Sequence, residues 1–127
     1  MKDLKFGATI YISGPMTGIE CFNFPQFFYW QVKLEKSGYI VLNPALMDCM
    51  KMLHDGWKYE PCMWDDIIEE DCKIIAEEAD ALFVLKGWRD SCGALREIET
   101  AKVHGKPVYY EENDLHHLER DSQKGTE

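Results

Sequence analysis

The segment from Ala81 to His104 constrains the fold more than any other. It opens with the apolar run Ala-Leu-Phe-Val-Leu and passes through Lys-Gly-Trp-Arg-Asp-Ser-Cys-Gly. It closes with Ala-Leu-Arg-Glu-Ile-Glu-Thr-Ala-Lys-Val-His. Five consecutive apolar residues between turn signals read as a strand buried on both faces. The eight residues that follow hold two glycines and three side chains able to bond their own backbone, so they form a loop. Ala94, Leu95, Ile98 and Ala101 then recur at helical spacing. A strand that feeds a helix through such a loop presents backbone N–H groups and the positive end of a helix dipole. Glu97 falls about one turn into that helix, beside the apolar stripe, and is expected to look into the loop crevice.

The rest of the chain repeats this alternation. Residues 8–13 read as a first strand, rich in β-branched and aromatic residues. The loop Gly14-Pro15-Met16-Thr17-Gly18 follows, and Asn23 is the expected N-cap of a helix with Pro25 in its first turn. Phe24, Phe27, Phe28 and Leu34 mark that helix to about Ser37, with Gly38 just past its end. Residues 39–42 are a second strand, stopped by Asn43-Pro44. Residues 45–62 read either as a lid over a site or as an irregular packed insertion. Residues 61–79 carry the longest helical pattern, with Trp64, Ile67, Ile68, Asp71, Ile75 and Ala79 linked along one face by spacings of three or four. Asp71 therefore lies on an apolar stripe. After the central unit, Gly105 ends the last helix and residues 106–110 form a fourth strand. The expected organisation is a domain over 1–110 and an acidic C-terminal tail over 111–127, either helical or disordered.

Strands alternating with helices imply an α/β fold whose four- to five-stranded parallel sheet has helices on both faces. In the common open order the first and third strands are neighbours, and ligands bind where the order reverses. That brings residues 13–18 and 86–93 face to face, with Glu97 and Asp71 in reach of the crevice. Two carboxylates at one concave site suit acid/base or nucleophilic work at an acetal-like carbon, provided their environments differ. Burial on an apolar stripe favours a protonated Asp71, and a helix N-terminus favours an ionised Glu97.

Composition narrows the partners. The 127 residues carry a formal net charge of −9, which argues against a nucleic-acid polymer. A single nucleotide remains compatible. No run of 18 apolar residues occurs, and Met-Lys-Asp-Leu-Lys precedes no signal-peptide core, so a cytoplasmic protein is expected. The five cysteines form no C-x-x-C pair and read as reduced thiols. Cys49, His54, Cys62 and Cys72 match no zinc spacing, so neither metal nor cofactor is expected.

Several stretches together resemble the nucleoside 2-deoxyribosyltransferase superfamily, and within it a small branch common in phages and prophages. They are Tyr11-Ile-Ser-Gly-Pro-Met-Thr-Gly18, Asn23-Phe-Pro25, Gly38-Tyr39 and Asn43-Pro44-Ala45. Asp71 with Ala79-Asp80, Gly87-Trp88, Ser91-x-Gly93-Ala94-x-x-Glu97, Ala101 and Gly105-Lys-Pro-Val108 complete the set. The likeness runs from about residue 9 to 109. It implies a flavodoxin-like three-layer sandwich, homodimers or higher homo-oligomers, and cleavage or transfer at the N-glycosidic bond of a 2′-deoxynucleoside or its 5′-monophosphate. Glu97 matches the nucleophile that attacks C1′, Asp71 a carboxylate that assists base departure, and Tyr11 a nearby aromatic hydroxyl. Ser91, Gly93 and the loop Gly14, Pro15, Met16, Thr17 and Gly18 match positions that hold the 5′ end. Ser13, Asn23 and Trp88 complete the candidate substrate contacts. Trp88 could stack a base or simply pack as a rim aromatic. In one departure, residues 14–24 contain no Lys or Arg, so a phosphate would rely on backbone N–H groups, Thr17, Ser91, Arg89 or a neighbouring subunit. The competing reading is a non-catalytic nucleotide-binding or sensor module, which would need neither Glu97 nor Asp71.

Overall fold

The computed structural model describes residues 4–16, 19–47 and 64–113. The expected lid or insertion falls almost wholly outside the described residues. So do Thr17, Gly18, Cys49, His54, Cys62 and all but the start of the tail.

Four strands form one all-parallel sheet in the order β2-β1-β3-β4. They are β1 (Thr9–Ser13), β2 (Ile40–Leu42), β3 (Ala81–Val84) and β4 (Val108–Tyr110). β1 pairs with β2 through Thr9↔Ile40 to Tyr11↔Leu42, and with β3 through Ile10↔Ala81 to Ser13↔Val84. β3 pairs with β4 from Leu82↔Val108 to Val84↔Tyr110. This is the flavodoxin-like order expected from the alternation, with each strand shorter than the pattern by a residue or two.

The period-two alternation of side chains divides the core between the two faces of the sheet. On one face Ile10, Ile12, Phe83 and Leu85 meet Phe27, Trp30 and Leu34 of helix α1 (Phe24–Lys36). On the other, Tyr11, Leu82 and Val84 meet α2 (Trp64–Glu78) and α3 (Cys92–Val103) through Ile75, Ala79, Ile98 and Ala101. Three layers result, with β3 buried at every residue. Ser13, two residues beyond Tyr11, shares the α2–α3 face.

Two local points differ from the sequence pattern. Phe28 and Leu95, two of the apolar residues that mark the helices, are exposed, and Trp30 takes a buried place on α1. Asn23 occupies the N-cap position of α1, but its side chain makes no capping bond. It is left-handed (φ 62), as is Phe22 before it (φ 52). Its amide instead donates to the Pro15 carbonyl at 3.0 Å. The start of the tail, residues 111–113, is helical, as one of the two expectations had it. Glu111 is buried, accepting from the Trp30 indole N–H and from the Lys86 backbone N–H, each at 2.8 Å.

Candidate active site

At the carboxyl end of β1 the last strand residue, Ser13, donates its hydroxyl to Glu97 Oε1 at 2.8 Å. Both side chains are buried, Ser13 at 0% and Glu97 at 7% exposure. α3 can bury an acid because its sheet-facing residues next to Glu97 are small: Gly93, Ala94 and Ala101, with Ile98 alongside. Ser91 starts that helix as its N-cap, its Oγ accepting from the Ala94 N–H at 3.2 Å.

Glu97 lines a cleft that also contains Asp71. The space held between the walls is small, about 30 Å³, and the cleft opens to solvent. Gly14 and Met16 border it from the first loop, Ser91, Gly93 and Ala94 from the third, and Pro44, Ile67 and Ile68 from the flanks. It lies where the strand order reverses between β1 and β3. The surroundings of Cys72 on α2 bear on both acids. Burial pushes the Cys72 thiol above its ordinary value, and the charges of Glu97 and Asp71 push it the same way. A Thr100 hydrogen bond and the Arg96 charge pull it back. Both carboxylates therefore lie within electrostatic reach of one sulfur on α2.

The two loops are fitted closely to each other. The Leu85 N–H donates to the Ser13 carbonyl at 2.8 Å. A Cβ on Gly14 would stand 2.8 Å from Leu85 Cβ, closer than packed carbons approach, so only glycine fits there. Buried Pro15 packs beside Gly87, and Asn23 holds it from behind through its carbonyl.

Not every candidate reaches the cleft. Tyr11, expected near the nucleophile, is fully buried in the α2–α3 core, one step down the strand face from Ser13. Asn23 serves the loop. Trp88 packs its ring against Tyr110, centroids 5.2 Å apart, with Arg89 stacked over it at 4.6 Å. Arg89 also pairs with Glu112 at 3.2 Å, so this cation is engaged beside β4. Pro44, Ile67 and Ile68 were not among the candidate contacts. Ile67 and Ile68 precede Asp71 by four and three residues, so the helical period that singled out Asp71 also carried them. Among the described residues, no group of three or more His, Cys, Asp or Glu side chains could hold a metal. None of the described helices is long and apolar enough to cross a membrane.

A family model described as a domain of unknown function, DUF4406, matches residues 8–110. The chain belongs to this family. The DUF4406 match covers β1–β4, α1–α3 and every cleft residue named above, and stops one residue short of Glu111. No curated protein matches the chain.

Proposed function

We propose that this DUF4406 protein cleaves or transfers at the N-glycosidic bond of a 2′-deoxynucleoside or its 5′-monophosphate. The observation that carries the reading is the pairing of a buried, Ser13-bonded Glu97 with Asp71 in one cleft at the switch point of the sheet. A carboxylate oxygen of Glu97 adds to C1′ as the C1′–N bond breaks, and the bonding pair leaves with the base. Asp71 supplies the proton that neutralises the departing nitrogen. A 2′-deoxy sugar suits this route because it lacks the electron-withdrawing hydroxyl that would destabilise positive charge at C1′. Water or a second base then displaces Glu97, giving hydrolysis or transfer. The same reading makes the protein a cytoplasmic homodimer or higher homo-oligomer, which sedimentation would check.

The test is release of free base from a panel of deoxynucleosides and their monophosphates, followed by chromatography. Glu97→Ala is expected to lower release roughly 1000-fold or more while substrate binding persists. Asp71→Asn is expected to cost roughly 100- to 10,000-fold, most for bases that leave poorly without a proton. Wild-type protein that binds members of the panel and releases nothing would move the reading to a binding module.

A further inference from the structure

We infer that Ser13 is a positioning residue, which holds Glu97 ionised and aimed into the cleft, and not a contact for the substrate. The inference rests on reading Glu97 as the reacting carboxylate. Ser13 is at 0% exposure and is not among the described cleft-lining residues, whereas its partner Glu97 is. Its position is set by the sheet. Ser13 is paired with Val84 in the β1–β3 register, and its carbonyl accepts from Leu85. The hydroxyl therefore comes from a central strand, a firmer support than a loop. The Ser13 hydroxyl is the donor in this 2.8 Å bond, and an ionised carboxylate can only accept. Donation to a carboxylate favours its charged form and fixes its rotamer.

The groups around Glu97 show why such a donor matters. Glu97 shares the cleft with Asp71, its charge reaches Cys72 on α2, and Arg96 precedes it on α3. A second carboxylate in the same cleft opposes ionisation of the first. Ser13 counters that opposition with a buried O–H aimed at Oε1.

The experiment compares wild type, Ser13→Ala and Glu97→Gln. Carboxyl groups of 13C-labelled glutamates are titrated by NMR, with Glu97 assigned from the signal missing in Glu97→Gln. In Ser13→Ala the Glu97 midpoint moves to higher pH. The acid limb of the base-release profile moves with it, and kcat falls about 10- to 100-fold with KM little changed. An unmoved Glu97 midpoint overturns the inference, as does a loss confined to KM. If wild type releases no base, the deoxyribosyl reading fails by itself and the NMR midpoint alone decides whether Ser13 holds Glu97. Should Ser13→Ala not fold, Ser13→Cys keeps the shape with a much weaker donor and carries the same comparison.

Discussion

A half-buried thiol beside two carboxylates makes a local probe of the site. Cys72 sits next to Asp71 in sequence and feels the charge of Glu97, with burial the larger reason its thiol is held above the ordinary value. Because the thiolate is the reactive form, Cys72 holds less of it at neutral pH than an ordinary thiol. Iodoacetamide at pH 7.5, with peptide mapping over time, is expected to modify exposed Cys92 well before Cys72. Glu97→Gln removes one of the charges that oppose the thiolate, so it should narrow the gap. Equal rates in wild type would show that the carboxylates do not act on this sulfur.

Helix ends are set here by backbone conformation as much as by side chains. Gly38 follows α1 at φ +96 and Gly105 follows α3 at φ +69. A Cβ at Gly105 meets nothing within 4 Å, so Gly105→Ala should cost only backbone strain, about 1 kcal/mol. At Gly38 the Cβ would run into the Phe6 ring. That ring is 87% exposed and can swing away, so the less favourable φ should dominate and Gly38→Ala should cost the more of the two. Urea midpoints of the two variants test this, and a neutral Gly105→Ala would refute the strain argument. Both glycines were legible before any coordinates, since each follows the last periodic residue of a helix. The alternation of strands and helices was legible for the same reason, and so was the place of Glu97 on α3. The inward face of α1 was not. Phe24, Phe27, Phe28, Tyr29 and Trp30 put aromatic rings all around one helix, and only packing against Phe83 chooses Trp30 over Phe28. Trp88 was ambiguous because its loop borders both the cleft and β4, and Tyr110 draws it to β4. Asn23 was misread because its capping chemistry was plain, while the Pro15 carbonyl that claims its amide is a tertiary partner.

Across the whole molecule, Glu111 ties together three distant parts: α1 through Trp30, the turn after β3 through Lys86, and the end of β4. It escaped notice because it opens an acidic stretch whose other members carry no hydrophobic pattern. Glu111→Ala leaves the buried Trp30 donor and the Lys86 amide without their acceptor, at a cost of about 2 kcal/mol in chemical denaturation. Glu111→Gln, which keeps one carbonyl oxygen for Trp30, should recover part of that. A loss below about 0.5 kcal/mol for the alanine variant would mean that water substitutes for the carboxylate. The order of the strands also sets a clock on synthesis. β1 pairs with β2 soon after both leave the ribosome, but its other edge waits for β3, which begins at Ala81. At typical elongation rates that interval, from Leu42 to Ala81, is roughly 2–8 s. Through it the nascent chain carries a bare hydrogen-bonding edge on β1, whose Ile10, Tyr11 and Ile12 are fully buried in the finished fold, so the growing polypeptide is most exposed to mispairing before β3 emerges.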